Sequence, residues 1–164
     1  RPTYHYVGAE AEVRDDGWEC LGDIGWMDAD GYLYLADRRK DMILVGGANV
    51  FPAEVEAAIA AHDGVASCCV IGLPDPDKGH RVHAIIQPTH GLDAVGTEFD
   101  LDELRSFLAE RLVTYKLPRT FEFVDEPLRD DAGKVRRAQL TDERIAALET
   151  AADGAAAPTE ETPA

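Results

Sequence analysis

The chain has 164 residues and a mass of 17.9 kDa, room for one ordinary domain or one domain plus a piece of a neighbour. Apolar residues make up 45% of it, enough for a real core, while 32 Asp and Glu against 16 Lys and Arg leave a formal charge of −16. That balance excludes a general nucleic-acid or anionic-membrane surface, which needs a basic footprint. No stretch approaches the roughly 20 apolar residues of a transmembrane segment.

The sequence opens on Arg1-Pro2-Thr3, with no initiator Met and no signal peptide, so the expectation is a piece of a longer polypeptide. Short apolar or aromatic runs at 18–20, 25–27 and 32–35 predict strands, with Asp28-Ala29-Asp30-Gly31 as a hairpin turn between the last two. The charged knot Asp37-Arg38-Arg39-Lys40-Asp41 is too dense for a core and marks an exposed joint, so a boundary is placed there, separating 1–39 from 40–149. A strand at 42–45 and a glycine turn, Gly46-Gly47-Ala48-Asn49, precede a helix over 52–61. In that helix Pro52 suits the first turn, Glu54 and Glu56 favour the positive end of the dipole, and Val55, Ala58 and Ile59 share a face. Strands follow at 65–73 and 81–87, separated by a loop over 74–79.

Asp100 is a plausible N-cap for a second helix through Leu101, Leu104, Phe107, Leu108 and Leu112. A strand at 121–124, a loop at 129–134 and a helix over 137–148 complete a small α+β domain. Residues 150–164 are rich in Ala, Pro, Glu and Thr and are expected to be disordered. Cys20, Cys68 and Cys69 read as ordinary thiols of a reducing cytoplasm, too few and too badly spaced for a disulfide framework or a zinc site.

Four places gather residues that chemistry could use. Asp23, on the turn begun by Gly22, could accept hydrogen bonds from a ribose diol, and Arg38 could hold an anion or a hydroxyl; the plain alternative is a turn Asp and a surface Arg. Gly46 and Gly47 allow a ligand or another chain to approach the backbone closely, or simply form a turn. Lys134 lies on a glycine-flexed loop ahead of Arg136 and Arg137, either as a solvated basic turn or as a mobile cation for an oxyanion or phosphate. It is not part of a phosphate loop of the Walker type, since Leu128 stands where the first Gly belongs and Val135 where Ser or Thr belongs. Tyr115-Lys116-Leu117-Pro118-Arg119 could stack a base and pair phosphates, or mark a helix end. His80 and His83 lie three apart in a strand, with rings on opposite faces, so no metal site is expected.

Taken together and in order, Gly22-Asp23, Asp28-Ala29-Asp30-Gly31-Tyr32-Leu33, Asp37 to Ile43, Gly46 to Glu56 and Gly133-Lys134-Val135-Arg136-Arg137 closely resemble the adenylate-forming superfamily of acyl-CoA synthetases, luciferases and peptide-synthetase adenylation domains. The resemblance runs from Gly22 to Leu140. It implies a small C-terminal lid domain, with a short three-stranded sheet, helices and a β-hairpin, preceded by the last strands of the large N-terminal domain of the same polypeptide.

The implied reaction is that of a carboxylic acid–CoA ligase in the cytoplasm. A carboxylate attacks the α-phosphate of Mg-ATP, and CoA then displaces AMP from the acyl-adenylate. By the same resemblance Lys134 is the catalytic lysine, Asp23 and Arg38 hold the ribose, and Lys40 is the hinge. Gly46 and Gly47 line the pantetheine channel, and Tyr115 and Arg119 contact the CoA nucleotide. The ligands of Mg2+ are expected in the large domain, and the piece by itself is expected to be inactive. Two positions depart from the pattern: Leu21 replaces the usual Thr before Gly-Asp, and Asp37 replaces the usual Gly before Arg38. An adenylation domain that loads a carrier protein and a non-catalytic α+β interaction module are the alternatives.

Overall fold

The computed structural model describes residues 7–8, 10–90 and 99–155. The chain divides into two compact units, Arg1–Met42 and Ile43–Ala164.

In the first unit, β1 (Glu12–Val13) pairs antiparallel with β2 (Glu19–Cys20), and β3 (Asp23–Met27) with β4 (Leu33–Arg38). The β3–β4 turn is organised by one side chain. Asp28 accepts the amides of Asp30 at 3.0 Å and Tyr32 at 2.9 Å, and the Tyr34 hydroxyl at 2.9 Å. These bonds, the Tyr32 amide foremost, hold its carboxyl below the usual carboxylate range. Gly31 supplies the left-handed residue the turn requires, at φ 87°. Trp26 and Tyr34 are cross-strand partners and stack at 4.2 Å between ring centroids. Much of this hairpin's apolar surface, including Met27, Tyr32, Leu33 and Leu35, is exposed.

The second unit holds β5 (Ile43–Val45), β6 (Ala48–Val50), α1 (Pro52–Ala60), β7 (Val65–Asp75), β8 (Gly79–Pro88), α2 (Leu101–Ala109), β9 (Thr120–Phe123) and α3 (Arg137–Ala155). The expected hairpin and three-stranded sheet are one sheet of five strands, ordered β6-β5-β8-β7, with β9 also on β8. Strand β8 runs antiparallel to β7 along its whole length; on its other edge it meets β5 at Val45–Gly79 and β9 in parallel from His83 to Ile86.

The sheet is covered on both faces, which is why β7 and β8 read as near-continuous apolar runs. Cys68, Val70, Val82, Ala84 and Ile86 pack with Val55 and Ile59 of α1 and Leu104 and Leu108 of α2. The alternate residues Cys69, Ile71, Leu73 and Ile85 pack under Leu140 and Ile145 of α3 and under Val124, Leu128 and Val135. Burial raises both thiols, Cys68 to about 12 and Cys69 to about 11, so neither is ionised at neutral pH.

Asp100 caps α2 as expected, its carboxylate accepting the amides of Asp102 and Glu103 at 2.9 Å each. Asp100→Ala is expected to cost about 1 kcal/mol, read as a lower urea midpoint with an unchanged slope. Helix α3 continues to Ala155, past the expected end at 148. Residues 150–155 of the expected disordered tail lie in this helix, and the remainder of that tail lies outside the described residues.

His83 and His80 part as the strand period requires: His80 is exposed and His83 is buried. The His83 ring lies 2.8 Å from the Thr120 hydroxyl and 3.3 Å from Glu122, and Glu122 in turn receives Arg144 of α3 at 2.7 and 3.1 Å. Burial pushes the imidazole below its ordinary 6.5; the Glu122 carboxylate opposes the shift, and the positive charges of Arg144 and Arg81 add to it. The unfolded chain thus takes up a proton near pH 6.5 that the folded one resists. The stability linked to His83 is full above that pH and declines below it. Between about pH 7.5 and about pH 5.5 the urea midpoint should fall, and fall less in His83→Gln; an equal fall in both proteins contradicts this.

Candidate functional site

In the first unit, the antiparallel register sets Asp23 directly opposite Arg38. The guanidinium Nε lies 3.6 Å from the Asp23 carboxylate, with the two side chains 64% and 38% exposed. A pair so solvated is weak, and both groups remain open to a polar ligand. Gly22, at φ 80°, turns the chain into β3, and its carbonyl accepts the Arg39 amide at 2.7 Å. Asp37 accepts the Arg38 amide at 2.8 Å. No described non-glycine residue has a positive φ, so an aspartate fits here where the resemblance leads one to expect Gly. Lys40 is exposed in a 3₁₀ turn over Arg39–Asp41, just before the limit of the unit.

In the second unit, Gly46 and Gly47 are the two-residue tip of the β5–β6 hairpin, closed by the Val45–Ala48 pair. Their φ values of 55° and 87° are both left-handed, the demand of a type I′ turn, and glycine meets it without strain. The Gly46 amide donates to the Lys78 carbonyl at 2.9 Å, which sets the tip beside the turn between β7 and β8. In that turn Asp75 accepts the amides of Asp77 and Lys78 and pairs with Arg119 at 3.3 Å. The fold therefore gathers Gly46, Gly47, Lys78 and Arg119 at one end of the sheet.

Tyr115, 45% exposed as a residue, lies in a 3₁₀ turn, Thr114–Lys116, packed near β6. Its neighbour Lys116 is committed elsewhere: the ammonium reaches both Glu54 oxygens at 2.6 Å and the side chain is largely buried. The sequence reads the loop holding Lys78 only as a connection, and its place beside the Gly46–Gly47 tip follows from the long-range pairing of Val45 with Gly79.

Lys134 is exposed on a turn knotted by Asp130. The Asp130 carboxylate accepts the amides of Ala132 at 3.0 Å and Lys134 at 2.9 Å, and its own amide donates to the Lys134 carbonyl at 3.0 Å. Gly133, at φ 74°, donates to the Asp130 carbonyl at 2.8 Å. The turn borders an open cleft of about 390 Å³, whose other walls include Arg129, Arg136 and Arg144.

The two arginines that follow have separate fates. Arg136 is exposed, 3.9 Å from Asp130. Arg137 turns inward, donating to the Val70 carbonyl at 3.2 Å and to Glu56 at 2.6 Å, so it anchors α3 instead of adding charge at the cleft. Among the described residues, no grouping of three His, Cys, Asp or Glu could hold a metal ion.

Residues 54–134 match the family model described as the AMP-binding enzyme C-terminal domain, and Lys134 is the last residue matched. A fatty acid–[acyl-carrier-protein] ligase of Streptomyces coeruleorubidus is 42% identical over 132 residues, covering 80% of this chain and 24% of the relative. A feruloyl-CoA synthase of an Amycolatopsis species is also 42% identical over 132 residues, covering 80% of the chain and 26% of the relative. Among solved structures, the o-succinylbenzoate CoA synthetase of Bacillus subtilis, in complex with its acyl-adenylate intermediate, superposes with a TM-score of 0.67 at 36% identity. That match covers 78% of this chain and 25% of the synthetase. The chain thus spans about a quarter of the length of the relatives it matches. By these matches and its mixed sheet, the chain carries the C-terminal domain of the AMP-binding, adenylate-forming enzymes.

Proposed function

We propose that the chain is the mobile C-terminal part of an ATP-dependent, AMP-forming carboxylic acid–CoA ligase, working in the cytoplasm with a large N-terminal domain of the same polypeptide. The observation that carries this reading is Lys134, whose exposed side chain leaves a backbone turn locked by Asp130. In the first half-reaction a carboxylate oxygen bonds to the α-phosphorus of ATP and the bond to pyrophosphate breaks. Negative charge crowds the reacting centre, and a preorganised cation there stabilises the transition state. Lys134 supplies that cation, while Asp23 and Arg38 hold the ribose hydroxyls.

In the second half-reaction the thiol sulfur bonds to the acyl carbon, and the bond to AMP breaks. Lys40 is the hinge that carries Lys134 away and brings up the Gly46–Gly47 tip, whose bare backbone leaves a path for the pantetheine arm. Arg119 and Tyr115 then meet the nucleotide end of CoA. Mg2+ enters with ATP, and its protein ligands belong to the large domain. The exposed apolar face of the β3–β4 hairpin is the surface that this domain covers.

The test supplies the full-length polypeptide with ATP, CoA and a panel of aromatic, fatty and dicarboxylic acids. Carboxylate-dependent release of AMP and pyrophosphate is expected; ADP and phosphate in their place overturn the reading. A second reading, transfer to a carrier protein, is favoured by the relative named as an acyl-carrier-protein ligase. It is distinguished by which thiol, CoA or a phosphopantetheinylated carrier, accepts the acyl group.

A further inference from the structure

We infer that Asp130 is a positioning residue for the adenylation step, holding the backbone of Lys134 in the one conformation that presents its ammonium. The inference rests on the role proposed for Lys134. A lysine side chain has four rotatable bonds and gives up much rotamer freedom when its ammonium is fixed. What the protein can settle beforehand is where that side chain begins. Four hydrogen bonds do so, all closing on Asp130: two amides into its carboxylate, its own amide to the Lys134 carbonyl, and the Gly133 amide to its carbonyl. Arg129 adds a fifth restraint on the turn by donating to the Gly133 carbonyl at 3.0 Å.

The carboxylate does this by accepting from amides, as a neutral side-chain carbonyl could, so the negative charge is dispensable and the acceptor geometry is not. Removing the acceptor frees the two amides and lets the turn sample other shapes, and misplacing a catalytic group by about 1 Å can cost on the order of 100-fold in rate. The turn is exposed and lies outside the core, so substitutions at Asp130 leave the packing of the sheet intact.

The experiment measures, in the full-length polypeptide, carboxylate-dependent pyrophosphate exchange with ATP and thioester formation from a chemically prepared acyl-adenylate. Asp130→Ala is expected to slow exchange by about 10- to 100-fold while leaving thioester formation near wild type, and Asp130→Asn is expected to restore exchange. Equal loss of both half-reactions, no loss of exchange, or failure of Asn to restore it overturns the inference. Lys134→Ala run in parallel separates the two ideas. Unchanged exchange in Lys134→Ala rejects the role of the lysine itself; loss in Lys134→Ala without loss in Asp130→Ala rejects only the positioning role.

Discussion

Replacing Lys134 with Ala in the full-length polypeptide is expected to slow carboxylate-dependent pyrophosphate exchange by about 10²- to 10³-fold, the range for loss of one preorganised charge donor. The size follows from where the charge acts. An ammonium on a solvated surface contributes little, but one brought into a site with a carboxylate and a triphosphate meets charge that builds only as the reaction proceeds. The effect should therefore fall on the rate of adenylation, with little change in the concentration of ATP needed for half-saturation. Lys134→Arg keeps the charge but exchanges a compact ammonium for a broad planar fork, and is expected to recover only part of the rate. Full activity in Lys134→Ala would remove the cation from the mechanism.

The second large effect concerns stability. Strand β7 is an edge of the five-stranded sheet, and the outward amide and carbonyl of Val70 are claimed by a single clip. The amide donates to Glu56 of α1 at 2.8 Å, and the carbonyl accepts from Arg137 of α3, which itself pairs with Glu56 at 2.6 Å. Glu56 and Arg137 are only 18% and 21% exposed. Removing Glu56 takes the acceptor from the Val70 amide and the carboxylate from Arg137 in a place where little solvent can replace them.

Glu56→Ala is expected to cost about 2–4 kcal/mol, near the lower end for a broken buried pair because both groups keep some solvent. That corresponds to roughly 5–12 °C in melting temperature, read by circular dichroism. Glu56→Gln keeps one acceptor for the Val70 amide and should lose less. Equal stability in wild type and Glu56→Ala would contradict this account of the clip.

Much of this was legible in the sequence, and the exceptions share a cause. Strands, helices and the Asp100 cap came from local patterns of period two and 3.6 and from capping chemistry, which neighbouring residues decide. The union of hairpin and sheet depends on Val45 meeting Gly79, a long-range pairing that no local pattern announces. Adjacent arginines pose the same difficulty. Residues 136 and 137 are chemically alike, and a helical start turns them about 100° apart, so one faces the cleft and the other the core; only the position of Glu56 decides which. The sequence leaves Lys116 open to pairing a phosphate, but the fold commits it to Glu54, 62 positions away. The Asp130 turn, by contrast, carries its signal openly: an Asp, two residues and a Gly at positive φ are what such a turn is made of.

The most direct test of the central claim separates the two half-reactions in one variant. Lys134→Ala full-length polypeptide is given CoA and the chemically prepared adenylate of whichever acid best supports exchange in the wild type. If the lysine serves adenylation alone and is withdrawn before thiol attack, thioester should form at close to the wild-type rate in a protein that barely exchanges pyrophosphate. A loss of thioester formation as deep as the loss of exchange would contradict the account.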